Sequence, residues 1–328
     1  MKRTTTRRTF SLALGGVLAL PFLARAQKRA RVAVIGLGAL ESEPYATLVR
    51  TLSEFGYSAG RNIEYGKPAE GEGDAVLARL VGQALEQRAD VLFAFGATAT
   101  DIAAKATRTV PIVALVNADP VQSGLVKELA RPGGNVTGIW LQGPELAKKR
   151  VELIKQLVPG IRRLAVFFDP SSVGGPQMVK YAADAAQQVG IETNLMELAG
   201  AEDIARMAAR VKTAKSQALF VETSVRLYQQ HRAAILENVA KLRLPAVYNG
   251  RFIVREGGLA SYGVDGSVQT RRAAYFVDRI LKGARAADLP MEQPTQFQLT
   301  INLKTAKTLG IKVPSALLTR ADEVIMDQ

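Results

Sequence analysis

The stretch Arg31–Glu41, with the sequence RVAVIGLGALE, indicates the fold class. Its residues Val32–Ile35 form a short and almost continuous apolar run, which is typical of a strand covered by helices on both faces. Val91–Phe95 and Ile112–Val116 are runs of the same kind, and segments with helical apolar periodicity separate the three runs. The sequence therefore predicts an α/β unit built on a parallel sheet.

The second half of the chain repeats this scheme at a spacing of about 130 residues. RLAV at Arg163–Val166 echoes RVAV at Arg31–Val34, and LPAV at Leu244–Val247 echoes VPIV at Val110–Val113. The shared order and spacing predict an α/β fold of two doubly wound, Rossmann-like lobes with a central cleft. We expect the N-terminal lobe to comprise residues 27–140 and about 266–290, and the C-terminal lobe residues 141–265 and about 291–328.

The first 26 residues differ from the rest of the chain. They combine basic residues, an apolar run from Phe10 to Leu23 and the ending Ala24–Ala26 (ARA), which is the pattern of a secretory signal peptide. Within them, TRRTFSL at Thr6–Leu12 fits the twin-arginine pattern, with the general secretory route as the alternative. A membrane anchor is disfavoured, because fewer than about 18 apolar residues span a bilayer poorly. We expect cleavage after Ala26 and a periplasmic location.

The composition excludes several classes of function. Five cations and no acid precede Gln27, so the formal net charge of +13 falls to +8 when the leader is removed. The remaining basic residues are interspersed with acids, which argues against a nucleic-acid partner. The chain has no cysteine, and His231, in a helical segment, is its single histidine. We therefore expect no metal site, no catalytic residues and no cofactor.

The glycines of the opening stretch resemble a dinucleotide-binding loop only in part. Gly36 and Gly38 are followed by Glu41 at the position where that motif has its third glycine. A carboxylate at this position would also repel a pyrophosphate. We therefore expect this loop to line a cleft for a different kind of ligand, with Leu40 and Glu41 in its wall.

Ligands of open α/β sheets bind outside the carboxyl ends of the strands. Gly96–Thr100 follows such an end, and its backbone N–H groups and hydroxyls suit an anion, with plain N-capping by a threonine as the alternative. Asp119 follows the next strand and suits an ammonium group, with capping of the following segment as the alternative. The predicted ligand-binding residues are Leu40, Glu41, Gly96, Ala97, Thr98, Thr100, Asn117, Asp119, Trp140, Asp169, Glu222, Asn249, Phe252 and Tyr262.

Longer strings of the chain, from Arg31 nearly to its end, resemble one family: the ABC transporter substrate-binding proteins related to tryptophan and tyrosine binders. The longest matching strings are LARPGGNVTG at Leu129–Gly138, INLKTAKTLGI at Ile301–Ile311 and RADEVI at Arg320–Ile325. Shorter matches are Asp119–Val121 with Ser123–Val126, Glu145–Ala147 with Lys149 and Arg150, Gly257–Leu259 with Ser261–Gly263, and Asp288–Pro290 with Glu292–Thr295.

The resemblance implies a periplasmic binding protein of type I, whose two lobes are joined by three crossings and close on a small ligand. It implies a ligand site at Gly96–Thr100 and Asp119, an ABC permease in the inner membrane as partner, and no enzymatic activity. The chain departs from the family pattern in the short segment Glu64–Pro68 and at Ala99, where a proline is frequent.

We expect a monomer that binds an amino acid or a related carboxylate. Its carboxylate would lie at Gly96–Thr100, its amine at Asp119, and its apolar part between Phe252, Tyr262 and Trp140, with simple packing as the alternative role of Trp140. Two alternatives belong to other classes: an exported enzyme on a doubly wound fold, and a ligand-sensing module for a membrane signalling partner.

Overall fold

A computed structural model describes residues 29–36, 43–66, 73–222 and 224–326. The predicted leader, and Leu40 and Glu41 of the predicted site, lie outside the described residues. Among the helices that are described, none is both long enough and apolar enough to cross a bilayer.

The described chain alternates strands and helices along most of its length. The strands are β1 (Ala30–Ile35), β2 (Ile63–Tyr65), β3 (Val91–Phe95), β4 (Ile112–Val116), β5 (Val136–Trp140), β6 (Arg163–Phe168), β7 (Glu192–Glu197), β8 (Ala218–Val221), β9 (Ala246–Tyr248), β10 (Ala260–Gly263), β11 (Met291–Glu292), β12 (Gln298–Asn302) and β13 (Glu323–Ile325). The helices are α1 (Glu43–Glu54), α2 (Asp74–Glu86), α3 (Ala97–Ala106), α4 (Gly143–Leu157), α5 (Gly175–Gln188), α6 (Ala201–Thr213), α7 (Val225–Leu242), α8 (Arg251–Arg255), α9 (Gly266–Leu281), α10 (Leu303–Leu309) and α11 (Ser315–Arg320).

Two sheets form, one in each lobe. The first has the order β11-β5-β4-β3-β1-β2 with parallel pairing throughout, and the second has the order β13-β12-β10-β9-β8-β6-β7. Only the pair β10 and β12 is antiparallel among the described strands. The order β5-β4-β3-β1-β2 in the first sheet matches β10-β9-β8-β6-β7 in the second. The predicted pair of doubly wound lobes is thus confirmed, and the repeated strings occupy equivalent strands.

Alternation along the first strand of each lobe explains why helices cover both sheet faces. Val32 and Val34 of β1 contact the core under α1 and α9, whereas Ala33 and Ile35 contact the core under α2 and α3. The residues of β6 alternate in the same way in the second lobe. One set contacts the core under α4 and α5, and the other set contacts the core under α6 and α7. Each sheet is therefore buried on both faces, as its apolar runs predicted.

The chain passes between the lobes three times: after β5, after β10 and after β11. At the first crossing Gln142 adopts a left-handed backbone (φ 53°), and its Nε2 donates to the Pro294 carbonyl in the third crossing at 3.1 Å. Strand β11 pairs with β5, so residues 291 and 292 join the first sheet, two residues beyond the boundary expected from the sequence. The Thr137 hydroxyl anchors the segment before β11, within 3.0 Å of the Leu289 and Pro290 carbonyl oxygens.

Candidate ligand-binding site

The loops at the carboxyl ends of the strands of the two lobes meet each other. The Val173 backbone N–H, in the loop after β6, donates to Thr98 Oγ1 at the start of α3 across 3.2 Å. The Asp119 N–H, in the loop after β4, donates to Gln177 Oε1 of α5 across 2.9 Å. These bonds join one lobe to the other, and they define a closed arrangement around the region where open α/β sheets bind ligands.

The start of α3 presents backbone donors to this region. Gly96 precedes the helix with φ 93°, and the N–H groups of Ala97, Thr98 and Ala99 have no intrahelical acceptor because they belong to the first turn. The Thr100 hydroxyl is different: it is fully buried and donates to the Gly96 carbonyl at 2.8 Å. The Thr100 hydroxyl thus bonds within its own helix, whereas the backbone N–H groups and Thr98 stay the predicted anion donors of this turn.

Gly36, from the opening stretch of the sequence, packs directly against this turn. A Cβ atom at Gly36 would lie 2.5 Å from the Phe95 carbonyl oxygen and 2.8 Å from the Ala99 Cβ. Its φ of 91° is also a conformation that favours glycine. The glycine therefore allows the end of β1 to approach the start of α3 closely.

The loop after β4 contains Asn117 and Asp119. Asp119 Oδ1 accepts from the N–H groups of Val121 (2.9 Å) and Gln122 (3.0 Å), so this oxygen caps its own turn, which was the alternative considered from the sequence. Asn117 lies where the lobes approach each other: a Cβ at Gly174 would be 2.6 Å from Asn117 Oδ1. Both predicted residues thus lie at the lobe junction.

Negative charge accumulates beside this junction. Burial raises the pKa of the Tyr181 hydroxyl, and the nearby carboxylates of Asp119 and Glu145 raise it further. Tyr181 lies on α5, and its Oη is 3.4 Å from Gln122 Oε1 in the loop of the other lobe. A cation bound here would be stabilised by Asp119 and Glu145.

Trp140 ends β5 and pairs in register with Val116 at the end of β4. The indole is 8% exposed and belongs to the core under α2 and α3. Its Nε1 is buried and has no hydrogen-bond acceptor among the described residues. Trp140 therefore lies at the base of the first crossing, with most of its surface in the core of the first lobe.

In the second lobe, Asp169 connects two loops at the strand ends. Its Oδ1 accepts from the N–H and hydroxyl of Ser171 (2.9 and 2.6 Å), and its Oδ2 accepts from the Ser224 hydroxyl at 2.5 Å. The side chain is 1% exposed. These contacts hold the loops after β6 and β8 together.

Glu222 and Asn249 contact Arg150 of α4, which was not among the predicted ligand-binding residues. Arg150 Nη1 donates to Glu222 Oε2 at 2.7 Å, its Nε to the Tyr262 carbonyl at 2.7 Å, and its Nη2 to the Asn249 carbonyl at 3.5 Å. Asn249 Nδ2 donates to the other Glu222 oxygen at 3.3 Å. One guanidinium thus joins the ends of β8, β9 and β10.

Burial dominates the electrostatics of this ion pair. It raises the pKa of Glu222, which the Arg150 charge and the Asn249 hydrogen bond oppose, and it lowers the pKa of Arg150, which Glu222 opposes. A signal for Arg150 does exist in the sequence. The position lies on the buried stripe of α4, between Ala147 and Val151, where an apolar side chain would be expected.

The predicted aromatic residues of the second lobe, Phe252 and Tyr262, each pack against another aromatic ring. Phe252 is 49% exposed and meets the Tyr228 ring edge to face, with centroids 4.9 Å apart. Tyr262 stacks on Phe297 of the third crossing, with centroids 6.0 Å apart and ring planes 20° apart. Tyr228 and Phe297 were not predicted, because nothing in the sequence indicates which aromatic residues become neighbours.

Other features of the described chain lie away from the junction. A cavity of about 700 Å³ opens at the amino ends of the first sheet, between Asp90, Arg108 and Arg285. A smaller one of about 320 Å³ lies between the second and third crossings, near Asp265 and Gln298. His231 is within α7, as expected, and the described residues include no cluster of three or more side chains suited to a metal.

The two facing lobes, with helix starts and strand ends at their junction, have the fold of the type I periplasmic binding proteins. The sequence profile of the family described as "ABC transporter substrate binding protein" matches residues 37–325. The chain belongs to this family, and it is accordingly a solute-binding protein rather than an enzyme.

Three relatives illustrate the similarity. A tyrosine-binding protein of Clostridioides difficile is 25% identical over 271 residues, which are 82% of this chain and 76% of the relative. A conserved domain protein of Vibrio cholerae is 27% identical, with a TM-score of 0.82 over 90% of this chain and 100% of its own. An ABC domain of Streptococcus pneumonia in complex with L-Trp is 25% identical, with a TM-score of 0.78 over 91% of this chain and 100% of its own.

Proposed function

We propose that this protein captures an α-amino acid with an aromatic side chain between its lobes, for import by an ABC transporter. The observation that carries the proposal is the turn Gly96–Thr98, whose backbone donors lie where the second lobe closes against Thr98. A helix start of this kind binds carboxylates. The names of the C. difficile relative and of the L-Trp complex support an aromatic amino acid as ligand.

The ligand's other groups have partners near the same turn. The ammonium group would lie near Asp119. The carboxylates of Asp119 and Glu145 both raise the pKa of the Tyr181 hydroxyl, so both are close enough to attract a cation there. The aromatic side chain would extend toward Tyr262 and Phe252 of the second lobe, where stacking and edge contacts are available. Closure then follows from the ligand's better contacts in the closed form than in the open form.

The proposal also covers the cellular location of the protein, its membrane partner and its oligomeric state. The basic, apolar and Ala24–Ala26 pattern of the leader supports export to the periplasm and cleavage after Ala26, with the twin arginines indicating the route. The family supports an ABC permease of the inner membrane as the partner that receives the ligand. We further propose that the protein acts as a monomer, with residues 266–292 completing the lobe that begins at residue 27.

Calorimetric titration of the purified protein with tyrosine, tryptophan, phenylalanine, leucine and aspartate tests this function. We expect the aromatic amino acids to bind most tightly. A ligand at one hundred times its Kd should stabilise the fold by about 2.7 kcal/mol, which thermal unfolding detects independently. If none of the five raises the melting temperature at millimolar concentration, the proposed ligand class is wrong.

The Asp119→Asn variant tests the position of the ammonium group. It keeps a side-chain oxygen that can cap the turn at Val121 and removes the charge, so we expect roughly tenfold weaker tyrosine binding, equivalent to about 1.4 kcal/mol. Binding of 3-(4-hydroxyphenyl)propionate, which has no amine, should be equal in the variant and the wild type. An equal loss for both compounds would instead mean that Asp119 acts only through the turn.

A further inference from the structure

The buried ion pair of Arg150 and Glu222 has no role in the capture scheme above. Arg150 is 3% exposed and Glu222 is 6% exposed, and their charged groups are 2.7 Å apart. Removing an ion pair from water is costly, and an apolar pair of similar volume often stabilises a protein as well or better. The presence of the pair at the end of three strands therefore calls for an explanation beyond stability.

We propose that Arg150 is a positioning residue for the ligand, which fixes the ends of β9 and β10 and keeps Glu222 away from the ligand's ammonium group. Neither member of the pair contacts the ligand. This inference rests on the proposed function, because it assigns the second lobe's part in binding the same amino acid.

The geometry of the guanidinium supports a role that is indirect. Each of its three nitrogens is within hydrogen-bond distance of a protein oxygen: Nε of the Tyr262 carbonyl, Nη1 of Glu222 and Nη2 of the Asn249 carbonyl. The Phe220 ring lies 6.0 Å from the guanidinium carbon. Three of the five guanidinium N–H donors are thus used within the protein, and the 3% exposure of Arg150 leaves little room for a ligand carboxylate to reach it.

The same contacts reach the aromatic part of the proposed site. Arg150 holds the Tyr262 backbone, while Phe297 of the third crossing stacks on the Tyr262 ring. Strands β9 and β10 also approach closely, since a Cβ at Gly263 would be 2.7 Å from the Asn249 carbonyl oxygen. A shift of Arg150 therefore moves Asn249 and Tyr262 together, and with them the surface that would receive an aromatic ring.

The groups around Glu222 make the stability of the protein depend on pH in a way that tests this arrangement. The groups that favour its ionised form are Arg150 of α4 and the neutral amide of Asn249, whereas burial opposes ionisation. Without Arg150, the pKa of Glu222 in the folded protein would rise further above its value in the unfolded chain. Protonated Glu222 would then contribute to the stability of the folded protein at low pH. This contribution is lost as the pH rises through the pKa that Glu222 has in the folded protein.

The first experiment needs no ligand. We expect the melting temperature of Arg150→Met to fall more steeply than that of the wild type between pH 5 and pH 8, and adding Glu222→Gln to remove this extra slope. Arg255→Met is the matched control, because it breaks an exposed pair with Glu323 in the same lobe. An Arg150→Met slope equal to that of the wild type would overturn the buried pairing on which the proposal depends.

The second experiment separates positioning from direct contact. We expect Arg150→Met to weaken the binding of tyrosine and of tyrosinamide, which lacks the carboxylate, by the same factor, roughly tenfold. A loss confined to tyrosine would overturn the proposal, since Arg150 would then bind the carboxylate itself. Arg150→Lys, which retains the charge, should weaken both compounds less and show no extra pH slope, and it replaces the methionine variant if that fails to fold.

The two proposals fail in different ways. If the wild type binds no aromatic amino acid, the proposed function is wrong, while the pH dependence of unfolding still tests the pairing of Arg150 with Glu222. If the wild type binds tyrosine but Arg150→Met binds it equally well, the proposed function survives and the positioning role does not.

Discussion

Gly36 shows how a single residue allows two elements of the first lobe to meet. It ends β1 with φ 91°, and the space where a side chain would begin is filled by the Phe95 carbonyl and the Ala99 methyl group. Two penalties therefore apply to any other residue: backbone strain and steric overlap with backbone atoms that cannot move aside easily. The glycine of the quoted stretch is a packing residue, whichever ligand the cleft binds.

Replacing Gly36 by alanine should lower the free energy of unfolding by about 2–4 kcal/mol, since strain and overpacking add. Denaturant unfolding followed by circular dichroism measures this change. Gly56→Ala is the matched control, because Gly56 has the same φ of 91° but no atom within 4 Å of the added Cβ. It should cost only about 1 kcal/mol. Equal losses in the two variants would mean that the close approach to α3 contributes nothing.

At the scale of elements, helix α3 carries two threonines with opposite roles, although both follow Gly96 closely. Thr98 accepts a hydrogen bond from the other lobe, and Thr100 donates back to the Gly96 carbonyl within its own helix. The sequence placed both at the helix start but could not distinguish them, because the direction of each hydroxyl is set by its rotamer and by the packing around it in the folded protein.

The two hydroxyls can be compared directly, since Thr→Val preserves the side-chain shape. Thr98→Val should weaken ligand binding by roughly fivefold, because about 1 kcal/mol of the closed form's hydrogen bonding is lost. Thr100→Val should leave the ligand affinity unchanged, because its hydroxyl bonds only within α3. Calorimetric titration of both variants with tyrosine measures the two affinities. A larger loss of affinity for Thr100→Val than for Thr98→Val would contradict the roles given to the two hydroxyls.

Strands and helices could be predicted well from the sequence, and the site less well. Apolar runs such as Val32–Ile35 specify buried parallel strands locally, so their order and the repeat of the lobes were accessible. Arg150 was missed because its partners lie 72 to 112 residues away along the chain. Asp119 could be predicted to follow a strand end, but whether its carboxylate caps a turn depends on loop geometry that neither charge nor spacing encodes.

For the molecule as a whole, the closed arrangement depends on a few hydrogen bonds between the lobes. Gln177 of α5 accepts from the Asp119 N–H and donates to Gln122 Oε1 at 3.2 Å, so one side chain joins two positions of the opposite loop. Bonds of this kind are individually worth about 1 kcal/mol. They can therefore bias the equilibrium between open and closed forms without fixing it.

Replacing Gln177 by alanine should shift the ligand-free protein toward the open form. Small-angle X-ray scattering should then give a larger radius of gyration for the variant than for the wild type, and saturating tyrosine should reduce the difference. Gln188→Ala is the control, because it removes an exposed glutamine at the far end of the same helix. If the two variants scatter alike, Gln177 does not hold the lobes together.

The interleaving of the two lobes along the chain has a consequence for synthesis on the ribosome. The first lobe needs α9 to cover one face of its sheet, through Ala273, Phe276 and Val277, and it needs β11 to complete the sheet edge beside β5. Both follow the whole β6–β10 segment in the chain. While the second lobe is being translated, the apolar face of β1, β3 and β4 therefore stays partly uncovered. We expect this nascent intermediate to be the species most in need of chaperones, and the first lobe to reach its native packing only when nine-tenths of the polypeptide has been made.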